Sequence, residues 1–508
     1  MGKHNDESVF DLFFRKNPFQ GEFVVFAGLS AAVEYLQGFR FDEQDIEYLK
    51  RVMRDGGQEV DNDFFEWLAQ VDLSKVKVWA IAEGTPVFPH VPLMRVEGPL
   101  AVCQILETTL LNLVNYASLI TTNAVRYRLA AGATKKLLEF GLRRAQGPDG
   151  AMSASRYSYL GGFDATSNVQ ASRAFDIGVR GTHAHSFVSS FRYLSDLSTG
   201  AVKHLTTGED VNIVPIALKF KHELGVDEAN EGELAAFLGY AVAWPNSFLA
   251  LVDTYNTLTS GVPNFCCVSL ALMELGYKPV GVRLDSGDLA YLSIETRKYF
   301  KMVGEKYNLP SFGTLSITAS NEINEATLLS LNQQGHEVDT FGIGTNLVTC
   351  QNQTALGGVY KLVMINGSPR LKLSQELSKV TIPGRKEAYR LLDAGGHPIL
   401  DIMIEVGTHP PKVGERIMCR HPFQETKRAL VVASAVVPLH TLIWDGKLIG
   451  ELDSTDVIRK RVRDGIANLR PDHIRFMNPT PYKVSVSDSL YDTFHALWLT
   501  ETPVPCIQ

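Results

Sequence analysis

Hydrophobic and polar positions change rhythm twice along the chain. At the start, residues 9–15 and 22–27 are mostly apolar on either side of Asn17-Pro18-Phe19-Gln20, which predicts two strands joined as a hairpin. Helical spacing follows behind Asp42 and again behind Asp61, each placed to cap a helix N-terminus. Extended segments return at 76–82 and 91–96, and Pro99 then opens a long apolar-periodic helix toward Leu129. Up to this point the pattern mixes helix with antiparallel strand.

From about Leu137 short apolar runs end in Gly, Ser, Thr or Asp, and each is followed by a helical pattern. The clearest runs are 248–253, 280–285, 315–320 and 338–342, separated by helices near 265–276, 289–307 and 322–334. A strand, a polar end and a helix, repeated, predict βα units on a parallel sheet. In such folds ligand chemistry gathers at the carboxyl ends of the strands. After Gly357 hairpin signals return at Asn366-Gly367, Gly395-Gly396 and Asp445-Gly446, followed by a helix over 454–469. Neither end of the chain shows a complete core alone. The expected organisation is therefore a discontinuous mixed α+β domain, 1–130 with 357–508, around a βα domain at 131–356.

The polar strand ends carry the candidate chemistry. Arg180-Gly181-Thr182-His183-Ala184-His185-Ser186 sets two imidazoles beside a hydroxyl, a weak signal by itself. Arg283 and Asp285 lie two apart on a presumed strand and so share one face; the guanidinium suits a carboxylate and the acid suits sugar hydroxyls or a metal. The same pair also serves as an internal ion pair beside a helix cap. Ser320-Asn321 is expected to open a helix. Gly342, Gly344 and Thr345 repeat that arrangement one unit later, so main-chain N–H groups at both places suit a phosphate, although plain turn chemistry accounts for either alone. Phe140 near Arg143 and Arg144 suits a flat anionic heteroaromatic, and Asp253 is placed to hold a histidine through Nδ1.

Bulk properties narrow the partners. Of 508 residues, 45% are hydrophobic, and 49 Lys and Arg against 56 Asp and Glu give net charge -7. Neither nucleic acid nor an anionic membrane is expected to bind such a chain. The six cysteines, Cys103, Cys266, Cys267, Cys350, Cys419 and Cys506, form no C-x-x-C pair and suit buried thiols in a reducing compartment. The first residues lack a signal-peptide pattern and the apolar run at 430–439 is too short to span a bilayer, so the cytosol is the expected location.

Beyond these residue-level readings, one block after another resembles nicotinate phosphoribosyltransferases. Glu139-Phe140-Gly141-Leu142-Arg143-Arg144-Ala145-Gln146-Gly147-Pro148-Asp149-Gly150 is similar to the family's most distinctive segment. Tyr159 to Asn168, Gly181-Thr182-His183-Ala184-His185, Val282 to Asp288, Phe341 to Thr345 and Pro369-Arg370-Leu371-Lys372-Leu373-Ser374, the last read as a strand, follow in family order. The resemblance implies the fold of type II phosphoribosyltransferases, an irregular α/β barrel plus a mixed α+β domain built from both chain ends. It further implies joining of nicotinate to 5-phosphoribosyl-1-diphosphate, coupled to ATP hydrolysis, with Mg2+ (or Mn2+) as cofactor and a homodimer sharing its active sites.

The same resemblance makes His185 a phosphohistidine and Asp253 its catalytic support, with His183 on a variable position. Thr182, Arg283, Phe140, Arg143 and Ser167 would bind nicotinate. Asp285, Ser320, Asn321, Gly342, Gly344 and Thr345 would bind the phosphoribosyl diphosphate, with Arg370 and Lys372 as candidates to reach it from the partner subunit. Ser167 stands where nicotinamide-using relatives carry an aspartate, so a carboxylate substrate is not repelled. The family pattern begins with a Thr-Asp-x-Tyr-Gln segment that does not occur here, so an N-terminally shortened chain is expected. A catalytically impaired form acting as a partner subunit is the alternative.

Overall fold

Strand Glu7–Phe14, buried from Ser8 onward, is the one on which the first unit is built. In this computed structural model, which describes residues 2–502 except 375, 377 and 378, the strand lies antiparallel between Met94–Pro99 and Gly358–Ile365. It does not pair with Val24–Val25, which joins Pro86–Val87 instead. The expected hairpin is therefore corrected: left-handed Phe19 and Gln20 carry the chain away, and partners from distant sequence take both edges of the strand. Lys77–Ile81, His440–Asp445 and Ser368–Pro369 complete this six-stranded sheet, and a second six-stranded sheet draws on residues 386–486. The expected strand over 369–374 stops early. Arg370 still donates its N–H to Val363 O at 2.8 Å, but among the described residues no strand continues the ladder.

The chain divides into two compact units, Met1–Asn123 with Asn352–Gln508 and Ala124–Gln351. Domain boundaries were expected at 130 and 357; the structure sets the first inside the long helix Leu100–Ala131 and the second at Gln351. Cys103, Cys266, Cys267, Cys350 and Cys419 are buried free thiols, and Cys506 lies outside the described residues. No helix among the described residues is long and apolar enough to cross a membrane.

The second unit holds a parallel sheet of strands β1 (Lys136–Glu139), β2 (Ala165–Thr166), β3 (Leu249–Leu251), β4 (Gly281–Leu284), β5 (Ser316–Ser320) and β6 (Thr340–Ile343). Their order is β3-β4-β5-β6-β1-β2, each pair parallel. Helices α1 (Gly147–Leu160), α2 (Val262–Glu274), α3 (Leu289–Lys306) and α4 (Glu325–Gln334) connect them. Gly281 is the one residue type its site admits: its φ is +154° and a Cβ would come 1.9 Å from Ser316 O on the neighbouring strand.

One short segment ties the two edge strands of this sheet together. Val179 bridges to Thr166 on β2, and His183 Nε2 accepts the Leu251 N–H of β3 at 3.2 Å. Five residues and one imidazole suffice to join the two edges, and the sheet curls into a half barrel. His183 is thus a structural residue. Acceptance through Nε2 requires a neutral ring, and burial pushes its pKa down to about 4.

His90 and His440 in the first unit are likewise pushed down to about 4 by burial. All three stay neutral in the folded chain while the unfolded chain takes up protons below ~6.5. Their contribution is complete above that value and is lost as pH falls toward 4, by up to about 1.4 kcal/mol per histidine per pH unit. Thermal melts between pH 7 and 4.5 are therefore expected to fall steeply below pH 6.5. A flat melting temperature over that range would contradict the neutral assignment.

Candidate active site

Arg283 is the centre of the site. It sits on β4 with its guanidinium at the carboxyl end, and three of its N–H groups are engaged. Nε donates to Ser320 Oγ at 2.8 Å, one terminal nitrogen to Thr182 Oγ1 at 2.8 Å, and the other to Asp285 Oδ1 at 2.9 Å. A guanidinium has five N–H donors, so one on each terminal nitrogen is left for an outside acceptor. Register explains the cluster: Leu284 on β4 pairs with Ala319 on β5, so Asp285 and Ser320 emerge side by side. Ser320 Oγ donates to Asp285 Oδ1 at 2.5 Å. Burial raises the Asp285 carboxyl, but Arg283, Ser320 and His185 outweigh it and hold the group below the usual carboxylate range.

His185 opens the short helix His185–Val188 and is half exposed. Its Nδ1 is 3.1 Å from Thr254 Oγ1, and its Nε2 is 3.5 Å from Asp285 Oδ2 and 3.9 Å from Asp253 Oδ1. The expected hold of Asp253 on Nδ1 is corrected: Asp253 faces the other nitrogen, because the strand end that carries it also turns Thr254 toward Nδ1. Asp253 is itself fixed through Oδ2, which accepts the Ser286 hydroxyl at 2.5 Å and the Asp285 N–H at 3.1 Å. Its Oδ1 is buried with no hydrogen-bond partner.

Phe140 follows β1 and lies beneath Arg283, with the guanidinium carbon 5.3 Å from its ring centroid. The cation over this ring therefore comes from β4 and not from adjacent Arg143 or Arg144, which are exposed on a turn of 3-10 helix. Gly342 makes room for the ring: a Cβ there would come 2.5 Å from two Phe140 ring atoms. Gly342→Ala is expected to displace Phe140 and to cost about 1–3 kcal/mol through overpacking. Adding Phe140→Ala should recover part of the melting temperature, and strictly additive losses would refute this contact.

Buried Glu139, which sequence inspection did not single out as a site residue, anchors the surrounding loops. Its carboxylate accepts the Gly141 N–H, the Ser155 hydroxyl at 2.8 Å and the Thr166 hydroxyl at 2.6 Å. One acid thus ties β1, α1 and β2 together and places Ser167, whose N–H donates to Glu139 O at 2.9 Å. A lone buried acid at a strand end was the available signal.

Of the two expected helix openings, one is found and one is not. Ser320-Asn321 does not open a helix; α4 starts at Glu325 under an Asn324 cap, and Asn321 and Glu322 are both left-handed, with φ 97° and 47°. Ser320 spends its hydroxyl inside the protein, on Asp285 and Arg283. Gly344 and exposed Thr345 do begin a short helix, Thr345–Val348, at the end of β6. The structure thus gathers Thr182, His185, Asp253, Arg283, Asp285, Ser320 and Phe140 around one guanidinium. It draws Arg143 and Asn321 into no such contact.

A carboxylate-ready arginine beside an exposed imidazole, on the strand ends of a curled parallel sheet, defines an α/β protein with a site for an anionic small molecule. Family models described as the nicotinate phosphoribosyltransferase N-terminal domain, the nicotinate phosphoribosyltransferase family and its C-terminal domain match residues 1–115, 270–396 and 385–494. The chain is 53% identical over 515 residues to nicotinate phosphoribosyltransferase 1 of Arabidopsis thaliana, covering 99% of this chain and 91% of that one. It is 52% identical to the Dictyostelium discoideum nicotinate phosphoribosyltransferase, covering 99% and 86%. Among solved structures it is similar to human nicotinic acid phosphoribosyltransferase, with TM-score 0.88, 41% identity, and coverage of 98% and 96%. The chain belongs to the nicotinate phosphoribosyltransferase family.

Proposed function

We propose that the chain joins nicotinate to 5-phosphoribosyl-1-diphosphate, forming nicotinate mononucleotide and diphosphate, a step toward NAD, with ATP hydrolysis coupled through His185. The observation that carries this reading is the triply held guanidinium of Arg283, which presents two free N–H donors above the Phe140 ring. Those donors grip the nicotinate carboxylate in a planar fork, and the Thr182 hydroxyl lies beside them. Ser167 makes no hydrogen bond through its hydroxyl to any described residue and brings no negative charge, so the acid is accepted where an aspartate would repel it.

With the ring held, its nitrogen attacks the anomeric carbon as the bond to diphosphate breaks, and the positive charge that develops on the sugar is met by Asp285. The protein's contribution is orientation and charge placement. Gly342, Gly344 and Thr345 at the end of β6 hold the 5-phosphate through main-chain N–H groups and the Thr345 hydroxyl.

Among the described residues no group of three His, Cys, Asp or Glu side chains could hold a metal ion. Asp285, whose Oδ2 has His185 Nε2 beside it at 3.5 Å, would be the protein ligand for Mg2+ or Mn2+, with substrate phosphates and water filling the other positions. The metal, when bound, supplies counter-charge to the diphosphate. The reading extends to a cytosolic homodimer with shared sites, checked by sedimentation.

The test is mononucleotide formation from nicotinate and from nicotinamide, with phosphoribosyl diphosphate and Mg2+, with and without ATP. Turnover of nicotinate, stimulated by ATP, is expected; equal turnover of nicotinamide would overturn the reading of Arg283 and Ser167.

A further inference from the structure

We infer that Glu139 is a positioning residue for the pyridine ring: its buried carboxylate fixes Phe140 and Ser167 relative to each other and so sets the slot in which the ring lies. The inference rests on the proposed function. Glu139 ends β1 at 1% exposure and pairs in register with Thr166, the last residue of β2. The next residues, Phe140 and Ser167, therefore leave the sheet side by side at its carboxyl end. Both are half-buried, and each stands between two buried neighbours, Glu139 and Gly141 for one, Thr166 and Asn168 for the other.

One carboxyl group holds these neighbours. Oε1 accepts the Gly141 N–H, which closes a turn across Phe140, while the Phe140 N–H donates to Ile343 O on β6 at 2.8 Å. Oε2 accepts the Thr166 hydroxyl, and Thr166 Oγ1 accepts the Asn168 N–H at 3.0 Å, a second turn across Ser167. Ser155 of α1 braces both, since its hydroxyl donates to Oε2 and accepts Asn168 Nδ2 at 3.2 Å. The Ser167 N–H closes the network on Glu139 O at 2.9 Å. Neither slot residue can shift without breaking a buried hydrogen bond.

The residue type follows from the donors. The Gly141 N–H can only donate, so Oε1 has to accept, and a carboxylate accepts at both oxygens. A glutamine would set its NH2 either against the Gly141 N–H or against two hydroxyls, one of which already accepts the Asn168 N–H. Among the described residues none of these bonds reaches Arg283, Asp285 or Thr345, so the network acts on the ring and leaves the sugar phosphate alone.

The experiment is steady-state kinetics of the full chain, with nicotinate and phosphoribosyl diphosphate each varied, beside hydrogen exchange of segments 139–143 and 165–169. In Glu139→Gln the KM for nicotinate should rise roughly tenfold, while kcat and the KM for phosphoribosyl diphosphate stay within about twofold. Both segments should exchange faster together. Ser155→Ala, at a residue that forms no hydrogen bond with Phe140 or Ser167, should raise the same KM by about threefold. A purely structural role would lower the active fraction, and with it kcat, and move neither KM. An unchanged KM for nicotinate in Glu139→Gln, an equal rise for both substrates, or faster exchange in one segment alone would overturn the inference. Should Glu139→Gln not fold, Ser155→Ala decides by the same readouts. Absence of nicotinate turnover in the wild-type chain would sink the functional reading instead, with the exchange measurement still testing the hold of Glu139 on both segments.

Discussion

Arg283→Lys is expected to lower kcat/KM for nicotinate by roughly 10²-fold or more. An ammonium group cannot hold Ser320, Thr182 and Asp285 at once in a plane and still offer two parallel donors outward. Three partners would lose a bond, and Asp285, held below the usual carboxylate range in part by this guanidinium, would move back up. Truncating one side of a mostly buried, hydrogen-bonded charge pair costs about 2–5 kcal/mol, which sets the scale. Steady-state kinetics with nicotinate and nicotinamide in parallel provide the check. The loss should be largest for the acid, and a variant within about threefold of wild type would remove Arg283 from substrate binding.

The second large effect is expected at His185. His185→Gln should abolish acid-labile labelling of the protein by γ-labelled ATP and reduce the ATP-driven rate to the rate seen without ATP, a loss on the order of 10²-fold or more. Glutamine keeps a polar side chain of similar reach, so Asp285 retains a neighbour and the fold should persist. Full ATP stimulation in the variant would disprove the role. Because Asp285 contacts both Arg283 and His185, the double variant should lose less than the product of the two single losses. Additive losses would mean that the two residues act independently.

Much of this site could be read in the sequence, and what could not be read has a common cause. Apolar runs ending in polar residues gave the βα units at 280–285, 315–320 and 338–342, because alternation and strand length leave a local trace. Asp42 and Asp61 were readable as helix caps for the same reason, and each does cap its helix. Asn321 was misread because a serine and an asparagine after a strand look alike whether they open a helix or sit in a left-handed turn. Thr254 left no trace, since a hydroxyl beside an acid is common and acquires meaning only across the 69 residues that separate it from His185.

Pairing followed the same division. The first hairpin was a local expectation, and it failed because Glu7–Phe14 found partners at Met94–Pro99 and Gly358–Ile365. Histidine 183, on the variable position of its motif, turned out to tie the sheet edges together, a role that depends on where Leu251 lies.

By itself, then, the sequence determined which residues carry charge, where strands and helices begin, and through its motifs the family. These are properties of near neighbours and of residue type. Only the tertiary structure decided that one guanidinium serves Thr182, Ser320 and Asp285 together, that Phe140 packs under it against Gly342, and that a single nitrogen of His185 faces both acids. Apart from Arg283 with Asp285, those contacts join residues far apart in the chain, and the register of the parallel strands brings them together.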